Sequence, residues 1–167
     1  MGQQQLLLVI LVTIIVGIAT VVALNVFGSQ ADEANRDAVR QDILSGAAQA
    51  QGYYIRPEMM DGGGYDFGDM TIDRLGIPGS PDGDGDDQWY NENGSYLLNS
   101  DAGGSNAFTL TGHPASAGGG AGTDGDGNPT FETVEADDQI EATIEVCDGG
   151  DDDGEVDIGW DGEDTCT

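Results

Sequence analysis

No charged side chain occurs before Asp32, and residues 6–27 read LLLVILVTIIVGIATVVALNVF, broken only by Thr13, Gly17, Thr20 and Asn25. As a helix, this run of 22 residues spans about 33 Å, enough to cross the roughly 30 Å hydrocarbon core of a bilayer. It is read as a membrane segment. Only Met-Gly-Gln-Gln-Gln precedes it, so there is no basic n-region, and no Ala-x-Ala site follows. The flanks lead us to expect a mature chain whose basic leader has been cut away; the other reading is a single-pass anchor that starts at its initiator Met.

The helical signal continues past the apolar run. Ala31, Ala34, Ala38, Val39, Ile43, Ala47 and Ala50 recur at steps of three and four, with Asn35 and Asp42 set aside as polar interruptions. Asp32 and Arg36 stand at i,i+4 and Asp37 and Arg40 at i,i+3, spacings that favour ion pairs on a helix. No Pro occurs before Pro57. One helix over about residues 3–51, roughly 73 Å long, is therefore expected. Gly17, Gly28 and Gly46 are the places where it would bend or thin.

Charge sets the solvent-facing character. Across 167 residues, 32 Asp and Glu face 4 Arg and no Lys, for a net charge of −28. This balance excludes nucleic-acid binding through basic phosphate contacts. Two origins fit such acidity: concentrated salt, in which the Debye length falls to about 3 Å at 1 M, or neutralisation by bound divalent cations. With 28 Gly and much of the apolar content spent on one run, the remainder is expected to be small and loop-rich.

Beyond Gly52 the period changes. Gly-rich loops at 61–64, 118–122 and 149–154 alternate with strand candidates at 65–72, 88–90, 95–98, 106–111, 130–134, 140–147 and 155–160. Asn93-Gly94 marks a hairpin between two of them. Ile140, Ala142, Ile144 and Val146 alternate with Glu141, Thr143 and Glu145, giving one buried and one wet face. The expected fold is α+β: a long N-terminal helix over 1–52 and, over 53–167, an acidic head with a small antiparallel sheet packed on the helix's second half.

An uncharged N-terminus, an apolar helix that runs on into an amphipathic half, a Tyr-rich exit at Gly52-Tyr53-Tyr54, a small sheet and a C-terminal Cys pair together resemble the type IV pilin and pseudopilin superfamily. The resemblance spans the architecture, with residue-level motifs confined to the N-terminal half. It implies a leader cut by a prepilin peptidase, with Met1 as the new N-terminal residue. Gln5 stands where many members carry a Glu that pairs with a neighbour's amine; an amide accepts a hydrogen bond there without the charge. Cleavage after Gly2 instead would shift this alignment. Val22 stands where a helix Pro is frequent, so a continuous helix is expected.

The resemblance further implies assembly instead of chemistry. The apolar half rests in the cytoplasmic or inner membrane, is extracted by the pilus assembly machinery, and then packs against copies of itself in a filament on the cell surface. Gly17, Ala19 and Ala23 would permit close helix approach. The alternatives are a secretion-system pseudopilin and, from a different class, a membrane-anchored acidic calcium-binding surface module.

An extracytoplasmic site favours a Cys147–Cys166 disulfide, with two free thiols or an intersubunit bridge as the other outcomes. Two Cys and the distant His113 do not supply a four-ligand zinc site. Asp124, Asp126, Asn128 and Glu135 occupy the first, third, fifth and twelfth positions of a calcium loop, with Pro129 at the sixth in place of Gly. Asp82, Asp84 and Asp86 supply three such ligands but have Asn93 in twelfth place, and Asp148 with Asp151, Asp152 and Asp153 form a third cluster. Calcium is the cofactor these sites would take; solvated acidic loops explain the same residues.

An enzyme is the least expected class. The lone His113, before Pro114 in an expected loop, is read as a surface or hydrogen-bonding residue, and no nucleophile motif surrounds a Ser. Asn93-Gly94-Ser95 matches a glycosylation sequon. Tyr53, Tyr54, Trp89, Tyr90 and Trp160 are read as core and interface anchors.

Overall fold

The computed structural model describes residues 2–81, 87–100, 106–123, 129–132, 135–147, 156–163 and 166, with the backbone alone at 120–123, 129–132 and 136. One α-helix, α1 (Gly2–Tyr54, 53 residues), opens the chain, and helical structure runs through Gly17, Gly28 and Gly46. The chain divides into two compact units, Met1–Ala34 and Asn35–Thr167.

In the first unit every described residue is exposed. Its stray hydroxyls are satisfied within the helix: Thr13 Oγ1 donates to the Ile10 carbonyl at 2.9 Å, Thr20 Oγ1 to Val16 at 2.8 Å and Ser29 Oγ to Val26 at 3.1 Å. Such back-bonding satisfies these hydroxyl donors within the helix, as an apolar surrounding requires. The stretch is long and apolar enough to cross a membrane.

Among the described residues, the second unit contains the end of α1 and eight strands. A six-stranded antiparallel sheet takes the order β1 (Ser80–Pro81), β2 (Gln88–Tyr90), β3 (Gly94–Asn99), β4 (Ala107–Pro114), β7 (Ile140–Val146), β8 (Val156–Trp160). A separate hairpin, β5 (Gly120–Thr123) with β6 (Pro129–Glu132), occupies the connection between β4 and β7. The fold is thus α+β. Across the sheet Trp89, Tyr96, Gly112 and Ile140 stand opposite one another in successive strands, as do Leu98, Leu110, Ala142 and Trp160 in β3, β4, β7 and β8. Since directly opposed residues share a face, these two rows form the inner side of the sheet.

Val39, Ile43, Ala47 and Ala50 of α1 are fully buried, and Tyr53 and Tyr54 nearly so, in a core shared with Tyr96, Phe108, Leu110, Ile140 and Ile144. The helix lies close to the sheet because Gly112 has no side chain: a Cβ there would sit 2.5 Å from Val39 Cγ1 and 3.1 Å from Ile43 Cδ1. At the end of α1, Tyr54 packs on Phe67 at 4.9 Å between ring centres, and Phe67 edge-on to Phe108 at 5.1 Å, carrying the aromatic contact from helix to sheet.

Three local expectations are corrected. Residues 65–72 form no strand: Tyr65 has a φ of 72° and the Asp66 carboxylate accepts the Gly68 N–H at 2.6 Å, an Asx turn that breaks the extended run. Phe67, Met70, Ile72 and Leu75 instead enter the core from the connecting segment. Within the Gly-rich stretch 118–122, residues from Gly120 onward pair as a strand. Arg36 pairs with Asp138 and not with Asp32, while the Arg40–Asp37 pair forms at 3.4 Å. A long-range carboxylate near the sheet end competes successfully with the helical neighbour because an exposed i,i+4 pair contributes only about 0.3–0.5 kcal/mol.

The close approach over Gly112 carries a test. Gly112→Ala is expected to destabilise the Asn35–Thr167 unit by about 1–3 kcal/mol through overpacking. Gly52→Ala, where a Cβ meets nothing within 4 Å, is expected to be neutral or to stabilise by up to about 1 kcal/mol. Urea unfolding followed by Trp fluorescence compares them.

Candidate functional site

Polar contacts converge on one oxygen of α1. Asp42 Oδ2 accepts hydrogen bonds from Tyr96 OH at 2.6 Å, Asn93 Nδ2 at 2.9 Å and Asn91 Nδ2 at 3.0 Å. Asn91 also donates to the Pro78 carbonyl at 2.9 Å, and its Oδ1 accepts the N–H groups of Asn93 and Gly94 at 2.8 and 3.1 Å. Two helical turns earlier, Asn35 Nδ2 donates to the Asn93 carbonyl at 2.9 Å while its Oδ1 accepts the Ser116 N–H at 3.0 Å. Asn35 and Asp42 therefore hold the β2–β3 turn and the turn that follows β4 to the helix. Burial and the hydrogen bond to Asp42 push the Tyr96 phenol far above its ordinary range, keeping it a donor at every ordinary pH.

Spacing carried a signal for these two residues. They lie seven apart, on the stripe that buries Val39 and Gly46, and a polar residue on an apolar stripe has to meet a partner. The arrangement also bears on the sequon. Asn93 spends its amide on Asp42 and Ser95 is fully buried in β3, so a glycan on Asn93 is incompatible with this folded turn. A shallow cleft of about 560 Å³ beside the turn is lined by Pro78, Tyr90, Asn91 and Asn93, and the amide donors of both Asn side chains already serve Asp42.

The remaining expected positions divide as follows. Gln5 and Gly17 lie on the exposed first part of α1, with nothing within 4 Å of a Cβ at Gly17. Met1, Asp82, Asp84, Asp86, Asp124, Asp126 and Asn128, and Asp148 with Asp151, Asp152 and Asp153, lie outside the described residues. Glu135 is described and exposed, its carbonyl accepting the Asp138 N–H at 2.9 Å. Among the described residues no group of three His, Cys, Asp or Glu side chains is placed to hold a metal.

Cys147 and Cys166 form an intrachain disulfide with Cα atoms 5.2 Å apart across a sequence separation of 19. The Cys166 N–H donates to Asp157 Oδ2 at 3.1 Å, tying the tail to the edge strand β8. Closing a loop of this size stabilises a fold by roughly 3 kcal/mol.

His113 is corrected from a loop residue to a strand residue. It lies on β4 opposite Ser95 and is 2% exposed. Gly119 lies close against its backbone, where a Cβ would fall 1.9 Å from the His113 carbonyl oxygen. Burial lowers its pKa below the ordinary 6.5 by disfavouring the imidazolium.

No family model matches the chain, and no curated protein or solved structure shows significant similarity to it.

Asp42→Ala strands three donors at once and is expected to lower the stability of the Asn35–Thr167 unit by about 3 kcal/mol, against about 1 kcal/mol for Tyr96→Phe; urea unfolding measures both. For His113, the unfolded chain takes up its proton first as the pH falls. The stability of the neutral, buried ring is thus complete above pH 6.5 and is lost as the pH drops through the folded value. Unfolding midpoints of wild type and His113→Asn, measured in parallel from about pH 7.5 to about pH 5, are expected to converge as the pH falls.

Proposed function

We propose that this chain is a non-catalytic structural subunit of an extracellular filament of the type IV pilus kind, assembled by packing of its N-terminal apolar helices. One observation carries the reading. Sixteen large apolar side chains between Leu6 and Phe27 are each 46–69% exposed, in a stretch of α1 that carries no charged side chain. At roughly 25 cal/mol per Å² such a surface is worth on the order of tens of kcal/mol to remove from water. Lipid shelters it before assembly, and other copies of the same helix shelter it afterwards, so that assembly exchanges one apolar surrounding for another.

The second half of the same helix supports this reading. Asn35, Asp42 and the buried stripe from Val39 to Tyr54 bind it into the β-rich unit. A subunit held through its helix therefore brings its head along without a separate linker. The head would then supply the solvent-facing acidic surface of the filament. Gly17, Ala19 and Ala23 permit close helix contact, and Gln5 offers an amide to a neighbouring N-terminal amine. Cleavage by a prepilin peptidase and extraction by an assembly machine belong to the same proposal, as does calcium held by the acidic loops.

Electron microscopy of filaments sheared from cells, with mass spectrometry of their subunit and its N-terminal peptide, tests the proposal. Long filaments made mainly of this chain are the expected result. Recovery of the chain only from the membrane fraction, with no filaments, would overturn polymerisation and favour a membrane-tethered surface module.

A further inference from the structure

Outside the apolar half of α1, the exposed large apolar residues among those described gather in one short segment. Ile55 is 67% exposed, Met59 96%, Met60 69% and Tyr65 68%; Leu44, at 45%, is the remaining one. The segment is a built loop. Gly63 N–H donates to the Tyr53 carbonyl and Tyr65 N–H to that of Tyr54 at 2.9 and 2.8 Å, and Gly64 N–H to Arg56 at 2.9 Å. Arg74 closes the other side with an ion pair to Asp61 at 3.0 Å and its guanidinium 5.2 Å from the Tyr53 ring centre. A Cβ at Gly62 would fall 2.3 Å from the Arg56 carbonyl oxygen, so the two arms of the loop lie against each other. The methionines are thus presented on a fixed backbone.

The same loop carries an unspent positive charge. Arg36, Arg40 and Arg74 are ion-paired with carboxylates of their own chain. Arg56 is exposed and, among the described residues, is the arginine without such a pair. In a chain of net charge −28, two copies repel one another over almost any pair of faces. A contact between copies needs apolar area, a cation, or both; this loop supplies apolar area and Arg56 within eleven residues, and Arg56 and Arg74 offset the charges of Glu58 and Asp61, so that the patch carries no net negative charge.

We infer that the loop of residues 55–65 is a docking surface for a second copy of this chain. Met59, Met60 and Ile55 lose water against the neighbour, and Arg56 meets a carboxylate on its acidic surface. The inference rests on the filament reading for its setting and adds to the helix packing a contact between β-rich units. Met side chains suit such a contact because they adapt to an irregular facing surface.

Photocrosslinking in intact cells tests it, with benzoylphenylalanine placed as Met59→benzoylphenylalanine in the full chain. The expected product is a covalent dimer of this chain in the filament fraction, its second attachment point in an acidic segment. Arg56→Glu and the double variant Met59→Ser, Met60→Ser are each expected to lower filament yield about tenfold. Their unfolding midpoints should match wild type, because the altered side chains are exposed.

Normal filaments with no dimer through residue 59, or with crosslinks only to a different protein, would overturn the docking surface while leaving the filament reading intact. Undiminished filament yield in both variants would overturn it equally. If the unaltered chain forms no filaments, the filament reading fails by itself. The crosslink is then read in the membrane fraction, where a dimer supports docking and its absence overturns it.

Discussion

Three hydrogen-bond donors meeting on one carboxylate oxygen of Asp42 determine how the helix and the sheet are joined. Hydrophobic burial of Val39, Ile43 and Ala47 draws the two layers together, but that attraction has no direction and would tolerate a sliding helix. Asp42 supplies direction. Tyr96 reaches it from within the sheet, and Asn91 and Asn93 reach it from the turn at the sheet's end. A shift of the helix by one residue would leave these donors unpaired, at about 1–3 kcal/mol each. Gly112 completes the arrangement by letting the helix approach closely enough for those bonds to form.

A single helix thereby carries two kinds of surface. Its first part has no charge and carries hydroxyls that bond only to their own backbone; its last part has a narrow apolar stripe and two polar residues placed to grip a sheet. Charge begins at Asp32, just before the two units divide after Ala34. The net charge of −28 opposes contact between like-charged surfaces.

Most element positions were readable because their periods are strong. Residues 140–146 alternate without exception, and the structure returns buried and half-buried residues in the same alternation. The strand at 88–90 and the turn after it carried β-formers and Asn-Gly, and both appear. Residues 65–72 misled because Tyr65, Phe67, Met70 and Ile72 look like strand residues, whereas Asp66 and Gly68 close a turn between them. His113 misled for a related reason: Pro114 after it marks a boundary, and the residue itself still belongs to β4, against the Gly119 backbone.

Length and period alone determined that residues 6–27 need an apolar surrounding, that a long helix opens the chain, and that an antiparallel sheet follows. These depend on neighbours in sequence, and the chain carries them wherever it goes. The roles of Asp42, Asn35 and Gly112, and the choice of Asp138 over Asp32 as the partner of Arg36, depend on contacts between residues far apart in sequence, 49 to 54 positions in the case of Asp42. A hydrogen bond or a close contact requires both partners to be held to within a fraction of an ångström, and only the packed layers of helix and sheet hold them there.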